Sequence, residues 1–142
     1  MIKRTAVAVW RGDLKGGSGS LELGSGAFSG KYSFTSRFED GVGTNPEELI
    51  GAAHAGCFSM ALSGELSKAG YTVEEINTEA IVSMEKGEAG FSITGIKLIT
   101  KARVKDIEME TFAKFASGAK ENCPVSRALT GVKVYLEAHL LK

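Results

Sequence analysis

Cys57, Cys123 and His54, three residues before the first thiol, are the side chains of this sequence best suited to chemistry. A thiol attacks as its thiolate, so its use depends on a nearby cation or on donors that hold the anion. Cys123 directly precedes Pro124, and proline suits the first position of a helix. The thiol therefore falls at a helix N-terminus, where the positive end of the dipole lowers its pKa, and it could resolve an oxidised partner. Arg37, in the polar run 36–40, could supply a cation to a thiolate; read as ordinary surface it pairs with Glu39. The bland reading of the other two is packing, since a cysteine in a buried helix is more often a small hydrophobe than a nucleophile and a histidine there a satisfied core residue. Zinc would need two ligands beyond His54 and Cys57, and His139 lies far off in the last strand. No CxxC, HExxH, GxSxG or phosphate-binding loop occurs, so the residues imply no metal and no cofactor.

These groups sit on readable elements. The first third is glycine-rich and strand-like, with short antiparallel strands expected around Ala6 to Val9, Leu21 to Leu23 and Tyr32 to Phe34. Asn45 then offers an N-cap, Pro46 the first helical position and Glu48 the return bond of a capping box. The helix begun there should run to a stop at Gly70, about 36 Å long at 1.5 Å per residue. It carries no charge between Leu49 and Leu62, the mark of a helix surrounded by protein, and its Gly51, Ala52, Ala53, Ala55 and Gly56 would admit a second backbone closely. A dimer-related helix could supply the missing cover. A hairpin of two long strands follows over 73–86 and 91–104, then a helix around 110–119, a short helix restarted by Pro124 and a last strand over 132–140. The class is α+β, in one domain.

Composition narrows the function. The 142 residues carry 17 Lys plus Arg against 17 Asp plus Glu, so no positive field draws the chain to nucleic acid or to anionic lipid. The alternating start lacks a signal-peptide core and no apolar run spans a membrane, so a cytoplasmic protein is expected. Two cysteines are too few for a secreted disulfide framework.

The run 44–62, Thr-Asn-Pro-Glu-Glu-Leu-Ile-Gly-Ala-Ala-His-Ala-Gly-Cys-Phe-Ser-Met-Ala-Leu, followed by Cys123-Pro124-Val125-Ser126, closely resembles the OsmC/Ohr family (osmotically inducible protein C and organic hydroperoxide resistance proteins). The likeness extends to Trp10-Arg11-Gly12-Asp13, Ser36-Arg37-Phe38-Glu39 and Gly90-Phe91-Ser92-Ile93-Thr94, and the Gly-Ala-Ala-His-Ala and Pro-Val-Ser stretches point to the OsmC branch. Gly56 departs from a familiar alanine without touching a functional position. The resemblance implies a single peroxidase domain over 1–142 and an intertwined homodimer, with long central helices wrapped by antiparallel sheets. It also implies a hydroperoxide substrate and an external thiol or dithiol reductant. Residue by residue, it makes Cys57 the peroxidatic thiol, Cys123 the resolving thiol, Arg37 the cation that stabilises the thiolate and Glu47 the carboxylate that orients Arg37.

The chemistry suits those roles. A thiolate cleaves the O–O bond, a guanidinium both holds the anion and aims the peroxide oxygens, and a second thiol turns the sulfenic acid into a disulfide before further oxidation. Ten residues of straight helix separate Glu47 from Cys57 by about 15 Å, so the carboxylate would act through Arg37. The competing readings are a non-catalytic lipid or small-molecule binder with an apolar pocket beside Phe38, Phe58 and Met60, and a structural stress-induced dimer with inert cysteines. Neither requires an arginine and two thiols together.

Overall fold

The computed structural model describes residues 1–142 and orders the elements as β1 (Ala6–Arg11), β2 (Ser18–Leu23), β3 (Ser29–Tyr32), α1 (Phe34–Phe38), α2 (Pro46–Lys68), β4 (Val73–Gly87), β5 (Gly90–Val104), α3 (Met109–Asn122), α4 (Pro124–Ala128) and β6 (Lys133–Leu141). This mixture of helices and two sheets is the expected α+β class. The chain divides into two compact units, Met1–Leu49 and Ile50–Lys142, with α2 beginning in the first and running on in the second.

In the first unit β1, β2 and β3 form an antiparallel sheet in that order. Gly19 pairs with Trp10 on one side and Tyr32 on the other, and the two rings meet with centroids 5.4 Å apart. A side chain at Gly19 would strike both rings, which explains the glycine. The third strand ends at Tyr32, earlier than the sequence suggests, because Ser33 caps α1. The cap is reciprocal: the Ser36 N–H donates to Ser33 Oγ at 3.2 Å and the Ser33 N–H to Ser36 Oγ at 2.9 Å. The polar run around Arg37 is therefore a helical turn rather than a loop.

The start of α2 is built largely as its sequence implies. The Glu48 N–H donates to Asn45 Oδ1 at 2.8 Å, and Asn45 Nδ2 donates to the Ser36 carbonyl at 3.2 Å, tying the helix start to α1. Glu48 does not complete the capping box. Its carboxylate instead accepts from Thr44 Oγ1 at 2.7 Å. At the far end Gly70 adopts φ +93°, and the Tyr71 N–H returns to the Leu66 carbonyl at 3.0 Å in a Schellman closure.

The second unit stacks helices on the sheet β4-β5-β6. The hairpin of β4 and β5 turns through Glu88 and Ala89, with Gly90 at φ +110°. The last strand, β6, runs parallel to β5, so this sheet is mixed and not antiparallel as expected. The reason lies in the connection: α3 and α4 carry the chain back along the sheet before β6 begins, and such a crossover yields a parallel pair. Alternate residues of β5, Ile96, Leu98, Thr100 and Ala102, are fully buried with Phe58, Leu62 and Leu66 of α2 and Phe112 and Ala116 of α3. Thr100 is satisfied there by Thr78 Oγ1 at 3.0 Å, which itself accepts from Ser59 Oγ at 2.7 Å. Gly51 lets α2 sit close on β4, where an added Cβ would lie 3.3 Å from Val82 Cγ2.

Only one side of α2 is covered. Phe58, Leu62 and Leu66 recur every fourth residue and are buried, whereas Ala52, Ala53, Gly56, Met60 and Gly64 are exposed in the single chain. The uncharged helix is thus half-wrapped, not enclosed. No helix is long and apolar enough to cross a membrane.

Candidate active site

Pro124 shapes the region around the second thiol. A residue before proline is disfavoured in the helical region, and Cys123 accordingly takes φ −62°, ψ 135°. It closes α3, its N–H bonding the Ala119 carbonyl at 3.0 Å, and at the same time caps α4. As a cap, its sulfur accepts the Ser126 N–H at 3.3 Å, and its thiol donates to Ser126 Oγ at 3.3 Å. With α4 only five residues long, this local donor matters more than any macrodipole. Cys123 is fully buried.

From α2, His54 and Cys57 meet this corner one helical turn apart. His54 Nε2 lies 2.6 Å from Ser126 Oγ. The imidazole is fully buried, and its Nδ1 has no partner. Cys57 is half-buried and lies near enough to Cys123 and to the Val125 backbone N–H for both to influence its thiol. Both cysteines are free thiols. Burial pushes the Cys57 thiol up, the Val125 N–H works against that, and sharing the site with Cys123 adds to the rise. Burial opposes ionisation of Cys123 as well. It is outweighed by hydrogen bonds from the Ser126 side chain and backbone, from Cys57 and from Val125, which leave this thiol below its ordinary value. His54 is lowered by burial.

Arg37 and Glu47 pair in the first unit. Arg37 Nη2 donates to Glu47 Oε1 at 2.7 Å, and Nε lies 3.2 Å from both carboxylate oxygens. Glu47, in the first turn of α2, is buried, while the arginine remains about one-third exposed (37%) with its guanidinium 5.2 Å from the Phe38 ring centroid. The surface reading that paired Arg37 with Glu39 is replaced by this bond, because the α1 turn and the Asn45 tether bring the start of α2 alongside.

The structure thus joins Cys57 with Cys123 in one unit and Arg37 with Glu47 in the other. Ser126, the residue that links Cys123 to His54, has no role in the sequence reading. Its signal was the position itself, the third residue of a helix capped by cysteine, where its N–H must find the cap. The apolar pocket of the competing binder does not form as imagined. Phe58 belongs to the core, while Met60, two residues on along α2, is 78% exposed on another face.

The helices and two sheets that carry these residues form a fold class found among known proteins. The OsmC-like protein family matches residues 38–137. The chain is 49% identical over 129 residues to peroxiredoxin OsmC of Escherichia coli K12, covering 90% of each. It is 34% identical over 101 residues to organic hydroperoxide resistance protein OhrB of Bacillus subtilis 168, covering 70% of this chain and 72% of that protein. The crystal structure of B. subtilis OhrB superposes with a TM-score of 0.74 at 30% identity, over 94% of this chain and 97% of that one. An OsmC-like protein from Mycoplasma pneumoniae shares the fold with a TM-score of 0.77 at 16% identity, over 99% of each chain. The chain belongs to the OsmC/Ohr family, on its OsmC branch.

Burial of neutral His54 predicts a pH-dependent stability. Its folded pKa lies below the ordinary value near 6.5, so below that pH the unfolded chain binds the proton more readily than the folded one. The stabilisation is complete above the ordinary value and is lost as pH falls toward the folded one. The urea midpoint should drop between pH 7.5 and 5.5, and His54→Gln should lessen that drop. An equal drop in both proteins would remove His54 as its source.

Proposed function

We propose that this chain is a thiol-dependent peroxidase of hydroperoxides, using Cys57 to attack and Cys123 to resolve. The observation that carries this reading is the pairing of a half-exposed thiol on α2 with a buried, hydrogen-bonded thiol at the cap of α4. The relatives named peroxiredoxin and organic hydroperoxide resistance protein support it.

In the first step the Cys57 thiolate attacks one peroxide oxygen. The O–O bond breaks, the other oxygen leaves as alkoxide and takes a proton to become the alcohol, and Cys57 is left as sulfenic acid. Cys123 then attacks the Cys57 sulfur, forming a disulfide and releasing water. An external thiol or dithiol returns the two electrons. The substrates in this reading are organic hydroperoxides, with hydrogen peroxide as a further candidate, in cytoplasmic stress defence.

Cys57 is the attacking thiol because it is the accessible one, but burial raises its pKa and calls for a cation. Arg37 fits the need. Glu47 engages its Nε and Nη2, which fixes the fork and leaves Nη1 for a second acceptor. A homodimer supplies the remaining geometry: a second copy covers the exposed face of α2 around Ala52, Gly56 and Met60, and Arg37 reaches the Cys57 of the other chain. The lowered pKa of Cys123 favours a second reading in which that thiol attacks first, although its complete burial opposes it.

Thiol variants separate the two orders. Cys57→Ser should lower peroxide consumption by roughly 10³-fold or more, whereas Cys123→Ser should still allow one oxidation per chain while failing in dithiol-linked turnover. The reverse pattern would assign the attack to Cys123.

Subunit mixing tests the dimer. Sedimentation should give twice the 15.0 kDa chain at low micromolar concentration. Inactive Arg37→Ala and Cys57→Ser chains should recover activity when mixed, because each heterodimer then holds one complete site. No recovery after confirmed exchange would mean that Arg37 serves its own chain or none.

A further inference from the structure

We propose that Ser126 and His54 form a proton relay for Cys123, in which Ser126 is the catalytic contact and His54 a positioning residue acting through it. The inference rests on the order of thiols given above and deepens it. The three groups form a continuous chain: the Cys123 thiol donates to Ser126 Oγ at 3.3 Å, and that hydroxyl lies 2.6 Å from His54 Nε2. Cys123 and His54 are fully buried and Ser126 is 9% exposed, so bulk water is poorly placed to exchange the thiol's proton.

His54 is costly to hold in this place. Its Nδ1 is buried without a partner, a desolvation cost that an apolar side chain would avoid. What the imidazole offers in return is a basic nitrogen aimed at the hydroxyl that touches the thiol. Burial keeps the ring neutral at neutral pH, the state in which it can accept a proton. Cys57 and Cys123 share this corner, and Lys120, Glu121 and Arg127 line a groove of about 260 Å³ that also includes Ser126.

During resolution the Cys123 proton passes to Ser126 Oγ as the serine proton passes to His54 Nε2. The resulting thiolate attacks the Cys57 sulfenic sulfur, the S–S bond forms and the S–O bond breaks. The departing hydroxide takes up one proton, so sulfenic acid plus thiol become disulfide plus water and His54 returns to neutral. During reduction the external thiol gives its proton to His54 and attacks the Cys57 sulfur as thiolate, Cys123 leaves as thiolate and takes that proton back through Ser126, and a second external thiol group displaces Cys57 from the mixed disulfide as the thiol.

Two measurements test the relay, the first without any need for peroxidase activity. In a Cys57→Ser background, the thiolate absorbance of Cys123 at 240 nm is titrated against a chain lacking both thiols. Ser126→Ala should raise the Cys123 pKa by about one unit, and Ser126→Thr, which keeps a hydroxyl, should restore most of it. In the chain with both thiols, the Cys57 sulfenic acid is formed with one equivalent of alkyl hydroperoxide, verified by dimedone trapping, and its conversion to disulfide is timed across pH. His54→Gln should slow that step roughly 10- to 100-fold near pH 7 and converge with the unsubstituted chain at high pH, where Cys123 ionises without help. A slowing equal at every pH, or a Cys123 pKa unmoved by Ser126→Ala, would overturn the relay. Failure to trap any sulfenic acid on Cys57 would instead defeat the order of thiols, and the titration would still decide whether Ser126 governs Cys123.

Discussion

From Leu49 to Leu62 helix α2 carries no charged side chain, and that constraint organises what surrounds it. A helix without charge gains nothing from water and must be covered by apolar surface. The sheet β4-β5-β6 and α3 cover the side bearing Phe58, Leu62 and Leu66. Cys57 and His54 ride on the same rigid element, so packing that seats the helix also fixes the thiol and the imidazole. The side bearing Ala52, Gly56 and Met60 stays open in one chain. Its small residues suit close approach of a second helix, which is why the proposed dimer and the proposed site stand together.

Proline chemistry supplies the other half of the site. Pro124 forces Cys123 out of helical geometry and turns a helix end into a cap whose sulfur meets a backbone N–H and a hydroxyl. The two thiols consequently differ in kind. One is accessible and resists ionisation; the other is hidden and ionises more readily. That asymmetry suits a sequence in which the exposed sulfur is oxidised with the aid of a cation and the buried sulfur closes the disulfide.

Features set by neighbouring residues were legible in the sequence. Asn45, Pro46 and Gly70 delimit α2 through bonds made within a few residues, and Cys123 caps α4 because Pro124 is adjacent. Features set by tertiary contact were not. Arg37 chooses Glu47 over Glu39 only once α1 and Asn45 bring the start of α2 alongside it, and the bond from Ser126 to His54 spans 72 residues. The turn α1 is not legible as such because Phe34 reads as the end of a strand and Arg37 and Phe38 as part of a polar run, although Ser33 and Ser36 stand at capping-box spacing. Alternation in β6 announced a strand but not its direction, which the α3–α4 crossover decides. The thiol roles came from the family resemblance, since cysteine spacing alone left packing as the ordinary explanation.

Peptide mapping after oxidation tests the central claim most directly. The protein is treated with one equivalent of an alkyl hydroperoxide, blocked, and analysed without reduction by mass spectrometry, with the chain mass read on a denaturing non-reducing gel. The account predicts a peptide pair joined through Cys57 and Cys123 in chains that migrate as single 15.0 kDa species. Bonds only between chains, or Cys57 driven to sulfinic acid while Cys123 remains a free thiol, would contradict it.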